Sequence, residues 1–419
     1  MGFEQALSGL TAASQNLDTI GNNIANAATI GYKDVRAEFA DVYAASMGGA
    51  AAATQIGIGT AVAAIAPQFT QGNIATTGNP LDVAINGGGF FRELKNGVVS
   101  YSRDGQFSLD ATGNIVNNNG SQITGYPADA TGAISSAPPV PLTLSQAPVP
   151  PSATTTASVS LNLNAAGPVI PAVPGFSPGL TSTYNSSTSM TVYDSQGNSH
   201  TVSVYFVNTS TNNWDVYATA DGTQLPGTGG TTATPLGSLS FGTAGTMASD
   251  VQMNLPITLT NGATIGANAG VTPVTLKFPA ASTSQYGVPF AVSSNAQDGF
   301  ATGQLAGFSI GADGVISGRY TNGMTRAQGQ IALASFTNPQ GLIALSGNEF
   351  AQSAASGAPV VGAPTTGSFG AVQSGALESS TVDLTTELVN MITAQRVYQA
   401  NAETVKTEDQ VQQTLMSLR

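Results

Sequence analysis

Residues 3–28 read FEQALSGLTAASQNLDTIGNNIANAA, and residues 377–419 read LESSTVDLTTELVNMITAQRVYQANAETVKTEDQVQQTLMSLR. These two ends hold the only long helical periodicity in the 419-residue chain. In the first, Phe3, Leu7, Leu10, Leu17, Ile20 and Ile24 recur at three- and four-residue steps, with Ala6 and Ala13 beside them. That spacing puts one apolar stripe on a helix. Gly21 and Asn22-Asn23 weaken it, and Asn26 and Gly31 are terminators. In the second, Leu384, Leu388, Met391, Ile392, Ala402, Val405, Val411, Leu415 and Leu418 read as an amphipathic helix. Ser379-Ser380-Thr381 offer N-cap hydroxyls, and Asp383 suits the first turn.

Between the ends the pattern changes to short alternating runs and turn dipeptides. Residues 44–66 are rich in Ala and Gly and read as a loop or extended connector. From 67 onward, Leu81-Asp82-Val83-Ala84-Ile85 alternates, and Asn96-Gly97 and Asp104-Gly105 are hairpin turns. Prolines 138, 139, 141, 148, 150, 151, 168, 171, 174 and 178 mark edge, linker or crossover chain, because proline cannot donate to a ladder. Met190 and Val192, then Val202, Val204 and Phe206, then Trp214, Val216 and Ala218 predict three strands with one apolar face. After Asp298 the earlier β style returns.

The sequence therefore predicts a mainly β protein with α-helical termini and discontinuous, nested domains. Residues 1–66 and 371–419 form a terminal helical domain with its connector, the helices pairing as a coiled coil. Residues 67–147 and 298–370 form a middle β domain, and 148–297 is a second β domain inserted into it.

Charged residues make up 8% of the chain, against roughly 25% in an average soluble domain. From 120 to 297 they are Lys277 and Asp129, Asp194, Asp215, Asp221 and Asp250. A net charge of −12 leaves no basic stripe to neutralise phosphates, which argues against nucleic acid. With no cysteine, disulfides and thiolate chemistry are excluded. No apolar run is long enough to span a bilayer, so no membrane insertion is expected. The start, Met1-Gly2-Phe3-Glu4-Gln5, does not read as a secretory signal.

Catalytic constellations are missing too. The single histidine, His200, starts a strand after a turn, has no nucleophile motif near it and reads as solvent-facing. Gly87-Gly88-Gly89 lacks the continuation of a phosphate loop and reads as a bulge or close backbone approach. The Asp-x-x-Gly-Asn segments at 110–114 and 194–198 lack a calcium loop's ligand set and read as Asx turns. No cofactor, metal site or enzymatic activity is expected; a β-rich glycosidase would need an aromatic-lined cleft, and the chain has one Trp. Isolated helices are marginal in water until an apolar face is covered. The ends are therefore expected to stay loosely ordered in the monomer and to gain stability on other copies, in head-to-tail contacts that give a helical filament.

Asn22-Asn23-Ile24-Ala25-Asn26, followed by Thr29, Gly31, Tyr32 and Lys33, resembles the N-terminal signature of the bacterial flagellar rod and hook protein family. The run Gly375-Ala376-Leu377-Glu378 through Val382-Asp383-Leu384, Leu388-Val389-Asn390-Met391-Ile392, Gln395-Arg396 and Tyr398-Gln399 is similar to the family's C-terminal signature. Tyr101-Ser102-Arg103-Asp104-Gly105-Gln106-Phe107 and Thr124-Gly125-Tyr126-Pro127 also resemble it. Within the family the resemblance is to the hook branch. It implies an extracellular subunit of a curved, flexible tube that carries torque from rod to filament. Phe3, Leu7, Leu10, Leu17, Ile20, Ile24, Leu384, Leu388, Met391, Ile392, Val405 and Leu415 would form its polymerisation core. The implied partners are other copies of the chain, the distal rod protein, the hook cap, the hook–filament junction protein and the flagellar type III export apparatus. The rival readings are a distal rod protein, which would lack the 148–297 insert, and a secreted surface or adhesin subunit.

Overall fold

A computed structural model describes residues 2–42, 57–171, 175–227, 234–259, 261–266 and 273–417, apart from the side chains of Gly2 and Leu415. The fold is mainly β with helical ends. Two compact units divide the chain: residues 1–146, 307–319 and 325–419 in the first, and 147–306 and 320–324 in the second.

The first unit holds both long helices, α1 (Gly2–Ala25) and α2 (Leu384–Ser417). They are formed and packed together within one chain, where loosely ordered ends were expected. A hairpin of Val35–Val42 and Gly59–Pro67 lies against α1. Its second strand falls in the stretch expected to be a loop or connector. Alanine favours strands weakly, but register with Val35–Val42 supplies the ladder, from Val35 opposite Pro67 to Val42 opposite Gly59. The part of that expectation falling on 44–56 lies outside the described residues.

Early and late segments of this unit pair directly. Val83–Asn86 is laddered with Ala371–Ser374, and Ile74–Thr76 with Ala376–Glu378. Leu377 and Glu378 are thus strand, and α2 starts seven residues later than the helical pattern suggested. The change of period comes at Asp383. Its carboxylate accepts from the Thr385 N–H at 2.9 Å and the Thr386 hydroxyl at 2.9 Å, which makes Asp383 the N-cap. The Ser379–Thr381 hydroxyls do not cap; Thr381 Oγ1 instead accepts from the Asp34 N–H and donates to its carboxylate, both at 2.8 Å. The large sheet of the unit carries an aromatic core of Phe90, Tyr101, Phe336 and Phe350, with Phe69 packed edge-on at 5.2 Å from Phe90. Its Asn96-Gly97 hairpin has φ of 51° and 83°, the left-handed pair a type I′ turn needs. Gly87 has φ 113°, and a side chain there would meet Gly370 Cα at 2.9 Å, so the triple glycine is a close backbone approach.

In the second unit, Ser186–Tyr193, Ser199–Ser210 and Asn213–Ala220 form the anticipated antiparallel meander. Met190, Val192, Val202, Val204, Phe206, Trp214, Val216 and Ala218 are all buried on one face. A further sheet covers that face. Its central strand, Thr156–Asn164, pairs in parallel with Val274–Phe278 and Ser284–Tyr286 and antiparallel with Ala291–Gln297. This strand lies inside the stretch read as edge or linker. The stretch between Pro151 and Pro168 is free of proline and supplies every ladder donor. Asp110 and Asp194 each accept from the N–H groups two and four residues on, so both segments are Asx turns. His200 does not face solvent: 12% of its side chain is exposed, and it sits between Asp194 and Asp221.

Candidate assembly surface and its anchor

α1 carries two heptad rows rather than one stripe. Gly9, Ala13, Asn16, Ile20 and Asn23 follow alternating steps of four and three residues, the spacing of a coiled-coil contact line. With Ala394, Val397 and Asn401 of α2 and Ala37 and Phe39 of the hairpin, they line a groove of about 730 Å³. The helices approach through small residues. A Cβ on Gly9 would lie 3.0 Å from Asn401 Nδ2, and Ala6, Ala12 and Ala13 are buried.

The second row, Phe3, Leu7, Leu10, Leu17 and Ile24, has the same rhythm on the adjoining strip of the helix. A one-residue offset turns a helix by about 100°. Phe3 and Leu7 are exposed, Leu7 at 50%, while Leu10, Leu17 and Ile24 are half-buried. Ile20, assigned with them from the sequence, belongs to the first row and is buried. On α2, Leu384, Leu388 and Ile392 form an exposed i, i+4, i+8 row, with Leu388 at 50% and Ile392 at 52%. Met391 and Val405 are half-buried, and the Leu415 side chain lies outside the described ones. Among the described residues of α2, only Ala394 is buried.

The signature residues do different work: they fasten the root of the helices. α1 ends where the Asn26 N–H bonds the Asn22 and Asn23 carbonyls, both at 3.1 Å. Asn23 then fixes the next strand, donating through Nδ2 to the Val35 carbonyl at 2.9 Å and accepting the Val35 N–H at 3.0 Å. The Tyr32 hydroxyl donates to Asn23 Oδ1 at 3.2 Å and accepts from Asn22 Nδ2 at 3.3 Å. Gly31 has φ 67°, its N–H reaches the Glu378 carbonyl at 2.8 Å, and any Cβ would lie 2.5 Å from the Arg103 backbone. Only glycine fits there.

Beneath this turn lies a buried ion cluster. Glu378 Oε1 accepts from Lys33 Nζ at 2.6 Å and from the Gly72 N–H at 2.7 Å, and Oε2 accepts from Arg103 at 3.1 Å. Lys33 also donates to the Thr70 carbonyl, and Arg103 to that of Gly87 at 2.8 Å. Burial pulls the Lys33 ammonium pKa down, and its hydrogen bond to Glu378 pulls the other way. The same opposition acts on Arg103. One carboxylate thus joins the segment after α1, the sheet and the segment before α2. Sequence reading placed all three residues in signature runs without linking them, because partners up to 345 residues apart leave no local spacing to read.

Four family models match in chain order. Residues 3–33 match "Flagella basal body rod protein", 84–170 "Flagellar hook protein FlgE/F/G D1 domain", 162–300 "Flagellar basal body protein FlaE D2 domain" and 373–418 "Flagellar basal body rod FlgEFG protein C-terminal". The flagellar hook protein FlgE of Salmonella typhimurium is 44% identical over 422 residues, covering 100% of both chains. The chain belongs to the flagellar hook protein family. FlgE of Escherichia coli is 43% identical over 427 residues, and that of Rhizobium meliloti 34% over 426, with 99% of this chain and 97% of the relative covered. A crystal structure of Helicobacter pylori flagellar hook protein FlgE2 shares the fold, with a TM-score of 0.52 at 15% identity, covering 73% of this chain and 100% of that one. Family membership accounts for the two signature runs at the root of the helices.

Proposed function

We propose that the chain is the structural subunit of the flagellar hook, that it polymerises through the outer rows of α1 and α2, and that it is not an enzyme. One observation carries the reading. The inner row of α1 faces α2 and the hairpin within the chain, yet large apolar side chains remain uncovered on both helices. Burying a Leu or Phe side chain fully is worth about 1.5–3 kcal/mol, so several such residues per copy give a strong drive to associate. Phe3, Leu7, Leu10, Leu17, Ile24, Leu384, Leu388 and Ile392 are the contact residues of this proposal, with Met391, Val405 and Leu415 beside them. Ile20 holds the helix pair itself.

In this reading residues 1–66 and 371–419 form the inner wall of the tube, 67–147 and 298–370 the middle layer, and 148–297 the outermost domain. The outer domain's scarcity of charge supports contacts that slide as the tube bends, since few salt bridges fix a register. Assembly is extracellular, after export through the flagellar type III apparatus. The ends of the tube meet the distal rod protein, the hook cap and the hook–filament junction protein.

Electron microscopy of the concentrated chain beside Leu7→Asp and Leu388→Asp tests it. Both side chains are half-exposed, so the monomers should fold and unfold as the parent does. Curved tubes from the parent and none from either variant are expected. Normal tube yield from both would sink the proposal, and straight rods from the parent would point to a rod protein.

A further inference from the structure

We propose that His200 is a proton-operated clasp at one corner of the second unit: as an imidazolium it ties the 194–198 turn to the hairpin at Asp221, and without its proton that corner loosens. His200 Nδ1 lies 2.7 Å from Asp221 Oδ2, and Nε2 lies 3.3 Å from Asp194 Oδ2. An ionised carboxylate only accepts, and a neutral imidazole has one N–H. The neutral ring would therefore turn a lone pair toward one of the two carboxylates, and only the cation satisfies both.

Hydrogen bonds hold both acids ionised. Asp194 is fully buried, which favours its neutral form, but it accepts from the Gln196 and Asn198 N–H groups at 2.9 Å, from Asn198 Nδ2 at 2.9 Å and from Asn261 Nδ2 at 3.2 Å. These outweigh burial and keep its carboxyl well below the usual range. Asp221 is lowered by its hydrogen bond with His200 and also accepts the Thr201 N–H at 2.8 Å. Burial pulls the His200 pKa down, and the hydrogen bonds to Asp221 and Asp194 outweigh it, so the pKa is raised above that of an ordinary imidazole.

Among the described residues no other ion pair joins this corner; its remaining ties include the Thr201 N–H to the Asp221 carboxylate and backbone hydrogen bonds. The Asp221 N–H reaches the Thr201 carbonyl at 2.9 Å, and the Ser195 N–H reaches that of Thr264 at 2.8 Å. With a folded pKa raised above the unfolded one, the stabilisation is complete below the unfolded pKa. It is lost as pH rises through the folded value. Alkaline conditions thus loosen this corner while the apolar core beneath stays closed.

His200 is the only histidine, so an imidazole-labelled sample gives one titrating signal. We would follow it by NMR from pH 5 to 9 in the folded full chain and in urea, with Asp221→Asn beside the parent. Amide exchange at Thr201, Asp221 and Thr264, corrected for intrinsic base catalysis, would be read in the parent and in His200→Gln. The folded midpoint should lie above the unfolded one and fall back in Asp221→Asn, whose side chain is half-exposed. Protection should drop through the same midpoint in the parent and be flat in His200→Gln. A folded midpoint at or below the unfolded one overturns the clasp, as does the same pH-dependent loss of protection in His200→Gln. If His200→Gln fails to fold, the parent and Asp221→Asn titrations still decide.

Discussion

The second unit closes its core and α2 does not. In the former, Val192, Val202, Val204, Phe206, Val216 and Leu239 have no exposed surface, and two sheets seal one apolar layer between them. In the latter, 34 helical residues bury Ala394 among the described ones. Both regions contain similar apolar side chains; what differs is whether the chain itself supplies the opposite face. A sheet brings its own neighbours into register, whereas a lone helix pair covers one strip of each helix and leaves the rest to a partner. The unit that completes itself is nearly free of charge. The unit that is left incomplete is rooted by a buried ion cluster. We read the cluster as the price of aiming two unfinished helices from a fixed base.

The sharpest way to break this comparison is to remove the base. Glu378→Gln leaves Lys33 and Arg103 buried without their anion, and losing one partner of a buried pair costs about 3–5 kcal/mol. The two regions can be read separately in the same sample. Trp214 is the only tryptophan and lies in the core of the second unit, while both long helices lie in the first. Urea unfolding of the variant should shift the helical circular-dichroism transition and leave the Trp214 fluorescence transition in place. Equal shifts of both would mean that the cluster does not act locally. The mirror experiment is Phe206→Ala, with an expected cost of about 3–5 kcal/mol from lost burial and the cavity left behind. There the fluorescence transition should move and the helical signal should not.

The difference between the regions also decided what could be read beforehand. Val202, Val204 and Phe206 facing Trp214, Val216 and Ala218 were legible because strand alternation and the intervening turns are local. The parallel partners of Thr156–Asn164 were not, since they lie more than a hundred residues away and carry no turn signal. On α1 the period was plain, but the row that faces α2 was not singled out. Leucine and phenylalanine dominate any apolar stripe, while the close approach to α2 is at Gly9, and Ala13 and Asn16 line the groove beside it. His200 was misplaced for a similar reason: its strand position was clear, but Asp221 reaches it from the hairpin of another strand. Glu378 stood in a signature run with nothing nearby to mark it as buried.

A smaller effect separates the aim of α2 from its existence. Asp383 is exposed and caps the first turn through the Thr385 N–H and the Thr386 hydroxyl, so it is held below the usual carboxylate range by those bonds. Asp383→Ala should weaken the first turn of α2 by removing its N-cap, the smallest effect of the series. The loss should be confined to the start of the helix, because the Thr381–Asp34 bonds and the strand Ala376–Glu378 just before it do not use this side chain. Amide exchange should quicken at Thr385 and Thr386 and stay unchanged at Leu377, and the Trp214 transition should not move. If protection is lost through Leu377 as well, the cap and the ion cluster form one cooperative unit, and the base of the helices is less rigid than the buried triad implies.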